Sequence, residues 1–287
     1  MAKQKKGKFE ALNPKNELFD ILAIDKNPPK WWQFVKENIT PEGFYVDIRK
    51  NNSLNVYYNG GSLLKITLSQ GKIKGKIHEY YLHGAGSKYV DYELNRLPED
   101  AEEIKKRIAT KYSNSSESGI KARLICDPKA KYIDSEFAYT KVIGMKKNKK
   151  GEDVTDYLTT RIDLTKLENG KIVFVELKRI EDGRLLTNEY ENGKPEILSQ
   201  MNAYHEFVNE HKQEIIDYYK TLFTIKRMLG VLPESLTEIE NIDGYVLSDN
   251  VELYIEPYAS LTPKRKKRIE AIKTILNKNN IVHNLCK

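Results

Sequence analysis

Between Thr160 and Arg179 the chain reads TRIDLTKLENGKIVFVELKR, with apolar and polar positions alternating on both sides of Asn169-Gly170. A period of two predicts strands. Asn-Gly between two such runs predicts a hairpin closed by a two-residue type I′ loop, because both loop residues need positive φ. With Glu168 and Lys171 flanking the loop, Leu167 faces Ile172, Thr165 faces Phe174, Asp163 faces Glu176 and Arg161 faces Lys178. Ile162, Leu164, Val173, Val175 and Leu177 then share one face, and Arg161, Asp163, Glu176 and Lys178 share the other. The expected hairpin has an apolar back and an ionic front.

The same pattern extends along the chain. After WWQFVKENITPEG, the runs FYVDIRK, LNVYYN, LLKITLS, KIKGKI and HEYYLH are separated by NN, NGG and SQG, which predicts an antiparallel meander over residues 31–92. Pro98 to Tyr112 reads as a helix with acids early and bases late, followed by the polar link KYSNSSESG. KYIDSEFAYT is a short strand-like run placing Asp134 and Glu136 on one face. PEILSQMNAYHEFV has a helical period, with Ile197, Met201, Tyr204 and Val208 on one stripe and Gln200 beside Tyr204. A further helical run through IIDYYKTLFTIKRML, a strand at GYVLSD and a basic helix at PKRKKRIEAIKTIL complete the pattern. The expected class is α/β or α+β. Residues 1–97 form a β-rich N-terminal domain with a possible role in substrate recognition, and residues 98–287 form a second domain with a C-terminal helical extension.

Composition narrows the function classes. The chain has 287 residues, 31% of them charged, a net charge of +7 and a pI near 9.0. The basic balance favours polyanionic partners. Mean hydropathy is −0.63, and no apolar run approaches the roughly 18 residues of a membrane span. The basic start MAKQKKGKFEALN lacks an apolar stretch, so no secretory signal is expected and the default location is cytoplasmic. Cys126 and Cys286 are too few for a disulfide framework or a cysteine zinc site. Basic runs fall at Lys3 to Lys8, at Lys146, Lys147, Lys149 and Lys150, and at Lys264 to Arg268. The KKNKK run lies between the Glu136 and Asp163 strands, where it is placed to straddle a phosphate backbone. Tyrosines at 57, 58, 80, 81, 89 and 92 are either base-stacking groups or ordinary strand residues.

The ionic front carries the candidate chemistry. Directly opposed carboxylates at Asp163 and Glu176 would have Cβ atoms about 4.5 to 5.5 Å apart and destabilise the sheet. Two arrangements offset this. Arg161 and Lys178 neutralise the acids in a cross-strand ladder, or a divalent cation is held by both, and hard oxygen ligands suit Mg²⁺ or Mn²⁺. Lys178 shares the face of Glu176 and reaches a metal-bound water, while Glu136 would complete a carboxylate cluster.

The ordered set Glu136, IDL with Asp163, VELK with Glu176 and Lys178, then Gln200 and Tyr204 as QxxxY on a helix, resembles the PD-(D/E)xK nuclease superfamily. The Gln helix is similar to that of its RecB-like and archaeal mismatch-endonuclease branches. The resemblance spans roughly residues 99 to 215. Ile162 stands where the name-giving Pro would be, and Thr160 where many relatives carry Gly.

The resemblance implies a restriction-endonuclease-like αβββαβ core and Mg²⁺-dependent (or Mn²⁺-dependent) hydrolysis of DNA phosphodiesters, in restriction, phage defence or repair. Asp163, Glu176 and the Leu177 carbonyl would hold the metal, with Glu136 joining directly or through water. Lys178 would serve the attacking water, Gln200 would position Lys178 or the water, Tyr204 would contact the phosphate or pack the helix, and Arg161 would clamp the phosphate, with Lys146, Lys147, Lys149 and Lys150 along the nucleic acid. A homodimer would suit cleavage of both strands. The competing expectation is a nucleic-acid-binding module of the same fold without turnover.

Overall fold

In the computed structural model, residues 12–39, 43–149, 151–186 and 195–286 are described. The chain is a mixed α and β protein with two sheets among these residues. Helices α1 (Glu17–Leu22) and α2 (Lys30–Glu37) precede an antiparallel meander of β1 (Phe44–Arg49), β2 (Ser53–Tyr58), β3 (Gly61–Ser69) and β4 (Lys72–His78). HEYYLH, expected as the next strand, is instead the short helix α3 (Glu79–His83). The reason is local. His78 Nδ1 accepts the Tyr80 N–H, and Gly84 closes the helix with φ of 74°, where a side chain would be strained. The fifth strand is β5 (Tyr89–Tyr92), paired with β4. Tyr57 and Tyr92 of this sheet and Tyr81 of α3 are buried, while Tyr89 of β5 is exposed.

Helix α4 (Leu97–Lys111) turns its apolar stripe, including Ile104 and Ile108, onto the N-terminal sheet, where Gly61 leaves room for Ile108. Thus the helix grouped by sequence with the second domain packs on the first. One face of the second sheet is covered by α5 (Glu117–Ile125), which begins inside the stretch read as a polar link and runs past it. Ser116 caps it by accepting the Gly119 N–H at 3.1 Å, so the serine-rich stretch starts a helix.

The second sheet is built from β6 (Tyr132–Lys147), β7 (Asp153–Glu168) and β8 (Lys171–Arg179). Behind them come α6 (Glu196–Glu210), α7 (Lys212–Leu229), β9 (Val246–Leu247), β10 (Glu252–Glu256) and α8 (Pro263–Lys278). The order is β10-β8-β7-β6, with β10 parallel to β8 and β9 pairing parallel to its start. β10, at VELYIE, was not foreseen, and the helical run after Gln200 breaks in two at His211.

The Asn-Gly loop sets the register as expected. Asn169 and Gly170 have φ of 51° and 73°, and the ladder pairs Glu168 with Lys171, Leu167 with Ile172, Thr165 with Phe174 and Leu164 with Val175. The expected ionic front is corrected, because β8 is buried on both faces. Val173 and Val175 pack with Ala122 and Ile125 of α5 on one side, while Ile172 and Phe174 join the main core under α6 and α7 on the other. Only the far end of that face is ionic. No helix among the described residues is long and apolar enough to cross a membrane.

Candidate functional site

The β7–β8 ladder stops at Leu164 and Val175, one step short of the acids. Beyond it each strand takes a different neighbour: Ile162 pairs with Phe137 of β6, and Glu176 and Lys178 lie against Leu253 and Ile255 of β10. Asp163 and Glu176 are therefore not a ladder pair, and Arg161 faces Ala138, not Lys178. Asp163 fills the gap where the strands part. Its Oδ2 accepts the Leu177 N–H at 2.9 Å, supplying the backbone donor with the partner that the departing strand no longer offers.

Glu176 lies buried beside it. Its Oε1 accepts from Lys178 Nζ and, at 2.7 Å, from Gln200 Nε2, while its Oε2 accepts from the Tyr204 hydroxyl at 3.0 Å. The same hydroxyl meets the Arg161 carbonyl at 2.6 Å and receives Gln200 Nε2 at 2.7 Å. Burial, then the charge of Asp163, pushes the Glu176 carboxyl up to about 7 against the pull of Lys178. Burial and the Glu176 charge also raise the Tyr204 phenol. Spacing on α6 accounts for the Gln200–Tyr204 pair, since positions four apart are neighbours on one helix face. Tyr204 is only 7% exposed, in keeping with the packing role of its two expected ones, and its hydroxyl holds Glu176.

Glu136 lies in β6 between Ser135, paired with Leu164, and Phe137, paired with Ile162, which sets it at the level of Asp163. Its φ is 54°, uncommon for a residue with a side chain. Glu136 Oε1 accepts from Lys121 Nζ at 2.8 Å, and the same ammonium is 4.0 Å from Asp163 Oδ1. Although partial burial opposes it, the Lys121 charge and hydrogen bond hold the Glu136 carboxyl below its usual range. Asp134 does not share this site. It joins a buried network in which Arg49 donates to Asp134 at 3.2 Å, to Asp47 at 2.8 Å and to the Ser135 carbonyl at 2.7 Å. Lys226 reaches Asp47 at 3.1 Å and Tyr219 reaches Asp134 at 3.2 Å. Burial and the Asp47 charge push the Asp134 carboxyl up to about 7.

A cavity of about 790 Å³ opens over Glu136, Asp163 and Arg161, with Lys121 of α5 and Arg49 and Tyr57 of the N-terminal sheet in its walls. Lys121 and Arg49 were missed from sequence. The signal for Lys121 was Ser116 as a helix cap ahead of Ile120, Ala122 and Ile125; Arg49 meets Asp47 and Tyr57 nearby, but its partners in the strand bearing Glu136 lie 85 and 86 positions away along the chain.

The basic runs are placed differently from expectation. Lys146 and Lys147 sit at the end of the long β6–β7 ribbon, paired with Asp156 at 2.7 Å and Asp153 at 2.8 Å. Lys147 is eleven positions from Glu136, about 36 Å of extended strand, so this run does not adjoin the carboxylates. Lys149 is exposed in the tip, and Lys150, like Lys3 to Lys8, lies outside the described residues. In the third run Arg268 donates to the Ile180 and Asp182 carbonyls and Arg265 to Ser260, using two of its charges within the protein.

Among the described residues no three His, Cys, Asp or Glu side chains converge as a metal-holding group. The acids are instead bridged to Lys121 and Lys178. The donor set nonetheless has the chemistry for a hard cation. Asp163 and Glu176 repel each other, the Leu177 carbonyl is turned to within 3.3 Å of Lys178 Nζ, and Gln200 Oε1 is buried without a donor among the described residues. Compared with models of protein families, with curated proteins and with solved structures, the chain matches none.

Proposed function

We propose that the chain is a divalent-metal-dependent nuclease that hydrolyses phosphodiester bonds of DNA, with α5, β6, β7, β8, α6 and β10 as a restriction-endonuclease-like core. One observation carries this. Asp163 occupies the fork between two parting strands with its carboxylate on the Leu177 N–H, and Glu176 and Lys178 follow on the adjoining strand, locked by Gln200 and Tyr204. A purely structural ion pair has no need of a second, mutually repelling carboxylate at that point.

Asp163, Glu176 and the Leu177 carbonyl, with Glu136 directly or through water, would hold Mg²⁺ or Mn²⁺, which when bound stabilises charge on phosphate oxygens and makes water more acidic. Gln200 and Tyr204 fix the Glu176 carboxylate, so its oxygens need little reorganisation. Lys178 brings a positive charge and hydrogen-bond donors to the water and the scissile phosphate. Arg161, exposed at the cavity, is the group to pair with a phosphate from outside.

A second reading, a nucleic-acid-binding module without turnover, is favoured by carboxylates already bridged to Lys121 and Lys178. One experiment separates the two. Labelled single-stranded, duplex, nicked and circular DNA are incubated with Mg²⁺, Mn²⁺ or EDTA, with Lys178→Ala beside the wild type. Metal-dependent cleavage lost in the variant supports the nuclease. No cleavage of any substrate, with salt-sensitive binding intact, supports the binding module.

A further inference from the structure

Lys121 is a lysine in a place lysines rarely occupy. Its side chain is only 7% exposed, and its ammonium stands 2.8 Å from Glu136 and 4.0 Å from Asp163, two of the acids assigned above to the metal. Lysines are almost never this buried unless paired, and here the pairing is with two carboxylates at once. The helix that carries it is firmly seated, because Ile120, Ala122 and Ile125 are buried, the last two against Val173 and Val175. Only the side chain is left to respond to a change in the site.

The cavity walls add a second, independent observation. Among the described lining residues, the cations Arg49, Lys121 and Arg161 face the carboxylates of Glu117, Asp134, Glu136 and Asp163. Asp134 is held by Arg49 in the buried network, which leaves Glu136 and Asp163 as the acids that Lys121 meets. A phosphate entering this cleft meets these carboxylates, and Lys121, the cation nearest them, is engaged with them.

We propose, on the basis of the nuclease reading above, that Lys121 is an internal counter-ion which holds Glu136 and Asp163 in the metal-free protein and yields them to a divalent cation. Once released, its ammonium serves the substrate phosphate in the cavity it already lines. Two positive charges do not share one pair of carboxylates without cost, so metal binding and the Lys121 contacts oppose each other. Lys121 is thereby withheld from phosphate until the cation is in place, and metal binding strengthens nucleic-acid binding.

The test uses the full chain. Mn²⁺ is titrated calorimetrically into wild type, Lys121→Met, Lys121→Arg and Glu176→Gln, with circular dichroism checking each fold. Lys121→Met is expected to bind Mn²⁺ about tenfold tighter, the effect of removing one charge from an acid's near surroundings, and Lys121→Arg close to wild type. In Ca²⁺, a labelled single-stranded oligonucleotide is expected to bind Lys121→Met more weakly than wild type. Unchanged or weaker Mn²⁺ binding by Lys121→Met overturns the proposal. For the case in which that variant does not fold, acetylation of wild-type lysines is followed by mass spectrometry. Lys121 is expected to be protected without metal and modified once Mn²⁺ is added, and equal modification in both states overturns the proposal. The underlying reading fails separately: if wild type binds no Mn²⁺, or binds it as Glu176→Gln does, the metal site is elsewhere or absent and the role of Lys121 falls with it.

Discussion

Asp163 Oδ2 lies 2.9 Å from the Leu177 backbone nitrogen, a side chain standing in for a strand at the place where β7 leaves β8. This contact separates two roles of one residue, its charge and its hydrogen-bond acceptor. Asp163→Asn keeps an acceptor and removes the charge, while Asp163→Ala removes both and leaves a backbone donor unpaired. Urea denaturation is expected to show Asp163→Asn near wild type and Asp163→Ala less stable by about 1 to 3 kcal/mol. If the proposed nuclease reading holds, both should lose cleavage by about 100-fold or more. An Asp163→Ala protein as stable as wild type would remove the bridging role.

Glu176 makes stability depend on pH in an unusual direction. Its carboxyl rises from an ordinary 4.5 to about 7, so the folded protein binds a proton that the unfolded chain releases between these values. Its contribution to stability is complete below about pH 4.5 and is lost as pH rises to about 7, a change of about 3 kcal/mol at most. Thermal melts between pH 5 and pH 8 should therefore fall more steeply in wild type than in Glu176→Gln. Parallel profiles would contradict the burial and charge repulsion assigned to this site.

Tyr204→Phe tests holding against contact. The change removes the hydroxyl from Glu176, Gln200 and the Arg161 carbonyl, at an expected cost of about 1 to 2 kcal/mol. With the metal site as proposed, Mn²⁺ affinity should fall with it, because Glu176 loses a donor to its charged form. Oligonucleotide binding in Ca²⁺ at saturating metal should be unchanged. A loss confined to oligonucleotide binding would return Tyr204 to the substrate surface.

Arg49 ties the N-terminal sheet to the strand bearing Glu136 by donating to Asp47, Asp134 and the Ser135 carbonyl. Arg49→Met leaves two buried acids with one fewer cation, a change expected to cost about 3 to 5 kcal/mol when both are charged. Asp134 is pushed up to about 7, so protonation relieves the loss in acid. The variant should be destabilised at pH 8 and much closer to wild type at pH 5.5, measured by chemical denaturation at each pH. An equal loss at both would show that packing, not charge, is what Arg49 supplies.

Much of the site was legible because it is local. An Asn-Gly loop sets a register by its own backbone needs, so Leu167 opposite Ile172 and Thr165 opposite Phe174 follow from the hairpin alone. Gln200 and Tyr204 face the same way because a helix repeats every 3.6 residues. The α5 helix and β10 were less legible. Ser116 and its neighbours have the composition of a loop, and VELYIE becomes a strand by pairing with Val175 to Arg179, some 77 positions earlier.

What the sequence determined by itself was the set of strands and helices that could carry acids, a lysine and a glutamine in that order, with faces given by periods of 2 and 3.6. Only the tertiary structure decided where the β7–β8 ladder ends, since that depends on β6 and β10 drawing the two strands apart. It also decided which lysine meets which acid. Lys121 and Glu136 are 15 positions apart and Arg49 and Asp134 are 85 apart, and such pairs arise because burying a charge is costly until another element brings its partner.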